Sequence, residues 1–232
     1  MKDFKIETHM HTSEVSRCGK VPARDGIRLY HELGYDGVCI TDHFFKGYFD
    51  QFDDLTWEQK IDRYLTGYRA AKDEGDKLRV KVILGMEYCF PDTCDDILIY
   101  GFDEEFLYEH ENMHLLNEDE LKKFAKEHNL LLIQAHPFRK MISKTYDNLV
   151  EGFEVFNGNP RHDSMNDTAH QHAKGLNSIM ISGSDFHQVQ DAGIGGIILP
   201  RIPRNSLEFA QILREIKEPV LVRDGKRDAV VF

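Results

Sequence analysis

Apolar residues in this chain come in short runs, and most runs break off at a polar residue of the same few kinds. Lys5–Thr8 predicts a short strand running into His9 and His11. Gly37–Thr41, Val80–Leu84, Ile97–Tyr100, Leu130–Gln134, Phe153–Phe156, Ser178–Ser182 and Ile197–Leu199 read as further strands, too short and too continuous for amphipathic helices. Between them the period changes. Pro22–Leu33 carries Ile27, Tyr30 and His31 along one side, with Pro22 in the first turn and Gly34 to close the end. Trp57 to about Glu74 predicts a second helix after a long aromatic loop. Asn117 with Glu120 forms a capping pair for a third helix, through Lys126, and Ser206–Lys217 predicts a last one capped by Ser206.

Strands alternating with helical segments favour a parallel sheet covered by helices. No linker or low-complexity tract interrupts the 232 residues, so one domain over 1–232 is expected. The polar residues recur where strands end, which favours a closed β/α barrel, whose chemistry gathers at that rim. An open doubly wound sheet fits the periodicity as well.

Composition narrows the function. With 40 acidic against 29 basic residues and a net charge of −11, an extended nucleic-acid surface is not expected. A small phosphorylated substrate is compatible, because bound cations reverse the local field. No stretch has the length or apolarity of a membrane span or signal peptide, and a cytoplasmic location is the expectation. Cys18, Cys39, Cys89 and Cys94 are irregularly spaced and read as thiols of a reducing compartment.

The chemistry sits at five strand ends, which offer His9 and His11; His43; Glu87; His136; and Asp185 and His187. Residues two apart on a strand project to one side, so His9 and His11 can reach one point. Imidazole with carboxylate suits zinc, manganese or iron. Seven ligands exceed one tetrahedral ion, so at least two ions are expected, with Glu87 or Asp185 able to bridge them. Each residue also has an ordinary reading: a capping pair at Asp42 and His43, a solvated strand end at Glu87, rim cover at His136, and a loop pair at Asp185 and His187.

HMH, TDH, GME, AHPF and GSDFH, in this order from His9 to His187, resemble the successive motifs of the PHP (polymerase and histidinol phosphatase) family, most of all its stand-alone, histidinol-phosphatase-like members. The resemblance implies a distorted seven-stranded β/α barrel of TIM-barrel type, two or three metal ions and phosphoester hydrolysis. By position it implies a first metal on His9, His11, Glu87 and Asp185, a second on Glu87 and His136, and a third to which His43 and His187 contribute. Two departures stand out. Cys18 precedes Gly19 where the family pattern has a histidine, so Cys18 is a possible ligand of the third metal. In DILIYGF, Leu98 stands where many members carry a histidine, with Asp96 nearby at the start of the strand.

The expected activity is a metal-dependent phosphomonoesterase on a small phosphorylated metabolite, in which a metal-bridged hydroxide attacks phosphorus and no protein nucleophile is needed. Arg17 and Arg139 are the candidates for gripping phosphate, and Asp42 and Glu154 for orienting histidines. Three alternatives remain: a phosphodiesterase or nucleotide hydrolase on the same metals, a non-catalytic binding domain with a degraded site, and, more weakly, a barrel amidohydrolase, for whose bridging modified lysine neither Lys81 nor Lys144 is convincing. The aromatic segment Phe44–Asp54 is expected to overhang the site as a lid.

Overall fold

The structure, a computed structural model, describes residues 3–91, 93 and 95–227. Cys94 therefore lies outside the described residues, while Cys18 and Cys39 are free thiols and Cys89 Sγ donates to the Thr93 carbonyl at 3.4 Å. The chain opens with β1 (Phe4–Met10), α1 (Ala23–Glu32), β2 (Gly37–Ile40), β3 (His43–Phe44), α2 (Lys46–Phe49), α3 (Trp57–Tyr64) and α4 (Thr66–Leu78). The middle comprises β4 (Lys81–Leu84), β5 (Met86–Cys89), β6 (Asp96–Tyr100), α5 (Glu104–Glu109), α6 (Glu118–His128), β7 (Leu131–Gln134) and β8 (Gly152–Asn157). It continues through α7 (Asn166–Leu176), β9 (Ile179–Gly183), β10 (Gly196–Leu199), α8 (Ser206–Ile216), β11 (Val220–Arg223) and β12 (Lys226–Arg227). Among the described residues no helix is long and apolar enough to cross a membrane.

The fold is mixed α/β, but the hydrogen-bonded ladders form two six-stranded sheets and not the expected closed seven-stranded barrel. One sheet runs β12-β11-β10-β1-β2-β4 and the other β3-β5-β6-β7-β8-β9. The chain passes from one sheet to the other four times, and two of these crossings, at Asp42 and at Gly85, are made within a few residues. Between β2 and β3, the Asp42 carbonyl accepts from Tyr64 Oη at 2.8 Å and from the Glu87 amide at 3.1 Å. Between β4 and β5 stands Gly85, where a Cβ would come within 2.9 Å of Tyr100 and 3.0 Å of Thr41. No ladder joins β1 to β9 among the described residues: Thr8 Oγ1 donates to the Ser182 carbonyl at 2.8 Å, and just past β9 Phe186 forms an isolated bridge with Met10.

Nor are all strands parallel. β6 is antiparallel to both β5 and β7, because the connection from Cys89 to Asp96 is too short for a helical crossover. β1, β3, β5, β7, β8 and β9 therefore end at one rim, and β6 begins there.

Local chemistry explains the helix boundaries. The expected helix from Trp57 breaks at Leu65 into α3 and α4, with Thr56 and Gln59 forming the capping box of α3. Asn117 and Glu120 cap α6 reciprocally, as read from the sequence. Ser206 is not the cap of α8. Asn205 accepts from the Glu208 amide, and Ser206 Oγ instead accepts from the Gly101 amide at 2.9 Å. That bond ties α8 to the end of β6.

The aromatic segment after His43 is also not a lid. Phe44, Tyr48 and Phe49 are buried in a core cluster with Trp57, Ile61 and Tyr64, and α2 gives the segment regular structure of its own. Burying each such ring is worth about 1.5–3 kcal/mol, so packing outweighs the freedom a lid needs. His114 joins this cluster, stacked on Trp57 at 5.5 Å and tilted against Phe49 at 4.4 Å. Burial, then the charges of Lys60 and Lys46, lower its pKa to about 4.

An acid-side loss of stability follows. The unfolded imidazole takes a proton below its ordinary value near 6.5, whereas the folded one resists down to about 4. Stability from this group is complete above that window and falls as pH drops through it. Urea titrations at pH 7 and 4.5 should show His114→Phe losing about 2 kcal/mol less than the unaltered chain. Equal losses would count against the buried neutral imidazole.

Candidate metal centre

Glu87 is the point on which the rim converges. It is 1 % exposed, and its Oε1 lies 3.2 Å from both His9 Nε2 and His136 Nε2. Its Oε2 lies 3.2 Å from His11 Nε2 and 2.8 Å from His43 Nδ1. Oε2 is buried with no hydrogen-bond partner among the described residues, as is His136 Nδ1. Asp185 Oδ1 closes the other side, 3.6 Å from His9, 3.5 Å from His11 and 3.3 Å from His187. Two atoms that each stand about 2.0–2.3 Å from a tetrahedral ion are roughly 3–4 Å apart, so these separations fit shared cations. The orphaned carboxylate oxygen is the kind of buried group a cation satisfies.

Three donor groups result, each with its ligand atoms within 4.8 Å of one another: His9, His11 and Asp185; His43, Glu87 and Asp96; and His11, Cys18, His43 and His187. The structure thus gathers His9, His11, His43, Glu87, His136, Asp185 and His187 at one rim, with Cys18 beside His43 and His187.

Neighbouring groups fix how the imidazoles point. Glu154 lies 2.9 Å from His9 Nδ1, which leaves Nε2 facing Glu87. Ser16 Oγ lies 3.1 Å from His11 Nδ1 and donates to Asp42 at 2.7 Å. Asp42 therefore reaches His11 only through Ser16. His187 Nδ1 is 2.8 Å from the Asp185 carbonyl. His136 and Asp185 hold left-handed backbone, with φ of 31° and 49°, which non-glycine residues adopt at a cost of about 1–3 kcal/mol. The Glu154 carboxylate accepts from the His136 amide at 3.0 Å, and Asn157 and Asn159 each donate to Asp185 at 3.2 Å. The strained backbone is thereby held with its side chains on the site.

The field is strong. Burial alone would raise Glu87, but His9, His43, His11 and His136 hold its carboxyl well below the usual range. Asp185 is depressed likewise, by His9, His11, His187 and Arg139 against burial. Burial opposes protonation of His9, yet Glu154, Glu87 and Asp185 lift it well above its ordinary value. Cys18 falls to about 5, because hydrogen bonds from His187 and His43 outweigh burial. Carboxylates that draw protons onto imidazoles also draw divalent cations, whose binding displaces those protons.

A cavity of about 410 Å³ opens above Glu87 and His136, lined also by Lys20, Arg139, Arg161 and His162. Arg139 Nη2 donates to Asp185 at 2.8 Å and to Asn157 at 2.9 Å. Arg17 is elsewhere: it is exposed and donates to Gln51 at 2.5 Å, beside a separate groove. Arg17 therefore does not line the cavity above Glu87 and is not placed to grip a phosphate there. Lys144 pairs with Glu118 on the surface and Lys81 does not line the cavity, so neither provides a bridging modified lysine.

Sequence reasoning sets Asp96 aside as the start of its strand and misses Arg161. Asp96 faces His136 and Glu87, although it opens its strand. Arg161 lines the cavity, clamped through both terminal nitrogens by Asp191 at 2.8 and 2.7 Å. The direction of β6 was the missing signal for Asp96; no motif announced Arg161.

The PHP domain model matches residues 7–219. The chain belongs to the PHP family. No curated protein matches it. Among solved structures it is similar to a two-domain protein from Bacteroides vulgatus containing a predicted PHP-like metal-dependent phosphoesterase, at 17% identity and a TM-score of 0.64. That match covers 96% of this chain and 65% of the other, so the chain spans about two thirds of that protein's length. A proposed metal-dependent phosphoesterase from Bifidobacterium adolescentis matches at 14% identity and a TM-score of 0.53, over 79% of this chain and 87% of that one. An amidohydrolase from Chromobacterium violaceum, solved with bound sulfate and no metal, matches at 13% and 0.55, over 94% of this chain and 97% of that one. At these identities the likenesses concern the fold; the family rests on the domain match.

Proposed function

We propose that this PHP protein is a metal-dependent phosphomonoesterase acting on a small phosphorylated metabolite, histidinol-phosphatase-like in its chemistry. The observation that carries the reading is Glu87, a buried carboxylate within 3.2 Å of four imidazoles at the floor of a cavity that Arg139 also lines. His9, His11, Glu87 and Asp185 would hold one cation, Glu87 and His136 a second, and His43, His187 and Cys18 a third. Zinc, manganese and iron all suit such donors. When bound, such ions lower the pKa of water and offset charge gathering on phosphoryl oxygens.

The chain's own groups do the rest. Glu154 and Ser16 hold the His9 and His11 rings with Nε2 inward. Arg139, anchored through Nη2 on Asp185 and Asn157, lines the cavity, where a phosphoryl group would accept from its guanidinium. Ser184 is committed to Glu7 at 2.9 Å through its amide and again through its hydroxyl, which leaves it no role as nucleophile. The acidic surface suits a small diffusible substrate over a nucleic acid.

The test is turnover of p-nitrophenyl phosphate, bis(p-nitrophenyl) phosphate and an N-acyl amide by chelator-stripped protein resupplied with Mn²⁺, Zn²⁺ or Fe²⁺. Metal-dependent hydrolysis led by the monoester is expected. Preference for the diester or the amide would redirect the reading to those bonds, and metal binding without turnover of any ester would end it.

A further inference from the structure

We propose that Asp96 completes the second cation position, and that the centre sorts metals by place: a hard ion on Glu87, Asp96 and His136, and zinc on Cys18, His43 and His187. The inference rests on the metal-centre reading above and adds to it a ligand and a division of labour.

The case for Asp96 is one of strand direction. β6 is antiparallel to β5, with Cys89 opposite Asp96 and Glu87 opposite Leu98. The first residue of β6 therefore stands at the rim where parallel neighbours end. The backbone is pinned there, since the Ala135 amide donates to the Asp96 carbonyl at 3.0 Å, one residue before His136. Asp96 Oδ2 is 3.8 Å from His136 Nε2, and its carboxylate shares a donor group with Glu87 and His43. The side chain is 15 % exposed and lines the cavity. Leu98 is fully buried among Ile133, Phe153 and other apolar side chains, and offers nothing to a cation. Asp96 thus brings a donor to the rim from two residues before Leu98.

The two ends of the centre differ in kind. Around His136 the anionic donors are the oxygens of Glu87 and Asp96, the chemistry that manganese and magnesium favour. Toward His187 the donor group holds the Cys18 sulfur among the nitrogens of His11, His43 and His187, while Asp185 Oδ1, 3.3 Å from His187 Nδ1, belongs to the first position. Sulfur with imidazole selects zinc over harder ions. His43 lies between the two, in both donor groups.

Chelator-stripped protein would be resupplied with equimolar Mn²⁺ and Zn²⁺, then desalted and measured by elemental analysis and by the electron paramagnetic resonance of bound Mn²⁺. The unaltered chain should keep both metals. Asp96→Asn and Asp96→Ala should each lose one manganese equivalent while keeping zinc. Cys18→Ala should lose one zinc equivalent and keep manganese, and Co²⁺ loaded in place of zinc should show a thiolate charge-transfer band that Cys18→Ala lacks. Circular dichroism of each variant would verify folding. Full manganese in both Asp96 variants, or one metal filling every place from the mixture, would overturn the sorting even if phosphomonoesters are hydrolysed. Sorted metals in a protein inactive on every ester would uphold it while the phosphoesterase reading fails.

Discussion

Glu87→Gln is expected to lower metal-dependent turnover of p-nitrophenyl phosphate at least about 10³-fold, equivalent to about 4 kcal/mol of transition-state stabilisation. The substitution keeps the side chain's shape and removes its charge. In the native site both Glu87 oxygens face imidazoles, Oε1 toward His9 and His136 and Oε2 toward His11 and His43. An amide there offers one oxygen and turns an NH₂ group toward rings that must stay lone-pair outward to bind a cation. Glu87 also stands between donor groups, so its loss weakens more than one position. Outer partners such as Glu154 typically cost about 10–100-fold when removed, and the bridging carboxylate should exceed them. Metal content measured beside activity makes the result specific. Turnover within tenfold of the unaltered chain, at full metal content, would show that Glu87 bridges nothing.

Much of this site was legible because its residues follow strands. A strand leaves its last side chain at a known rim, so His9, His11, His43, Glu87, His136, Asp185 and His187 can be grouped from the sequence. What could not be read was direction and partition. Asp96 looked like the far end of its strand because periodicity carries no sign, and only the tight connection from Cys89 reverses β6. The closed barrel failed for a related reason. Strand lengths do not reveal that the chain changes sheets at Asp42 and at Gly85, where a buried carbonyl and a missing Cβ decide the pairing. Arg17 and the aromatic segment show a third limit. Proximity in sequence to His11 or His43 says little about which way a loop turns, and Phe44 and Phe49 turned inward because the core under α3 accepts them.

Metal should also be visible as stability, and Asp185 is the place to test it. A ligand that binds only the folded chain stabilises it by about 2.7 kcal/mol at one hundred times its dissociation constant. Zn²⁺ or Mn²⁺ at such excess should therefore raise the midpoint of urea unfolding, and a chelator should reverse the gain. Asp185→Asn is expected to abolish most of it. The carboxylate touches His9, His11 and His187 through one oxygen and Arg139 through the other. Removing its charge weakens the first cation position and frees Arg139, whose side chain is only 14 % exposed, from its strongest partner. Asparagine tolerates the left-handed backbone at this position, so the φ of 49° should survive and the variant should fold. Its metal-free form is expected to lose stability on account of Arg139, since breaking a buried pair by removing one partner costs up to about 3–5 kcal/mol. The two effects separate in one experiment, because the first appears only as the difference between metal-loaded and chelated samples. An undiminished metal-induced shift in Asp185→Asn would place the first cation elsewhere, whatever the variant does to the metal-free chain.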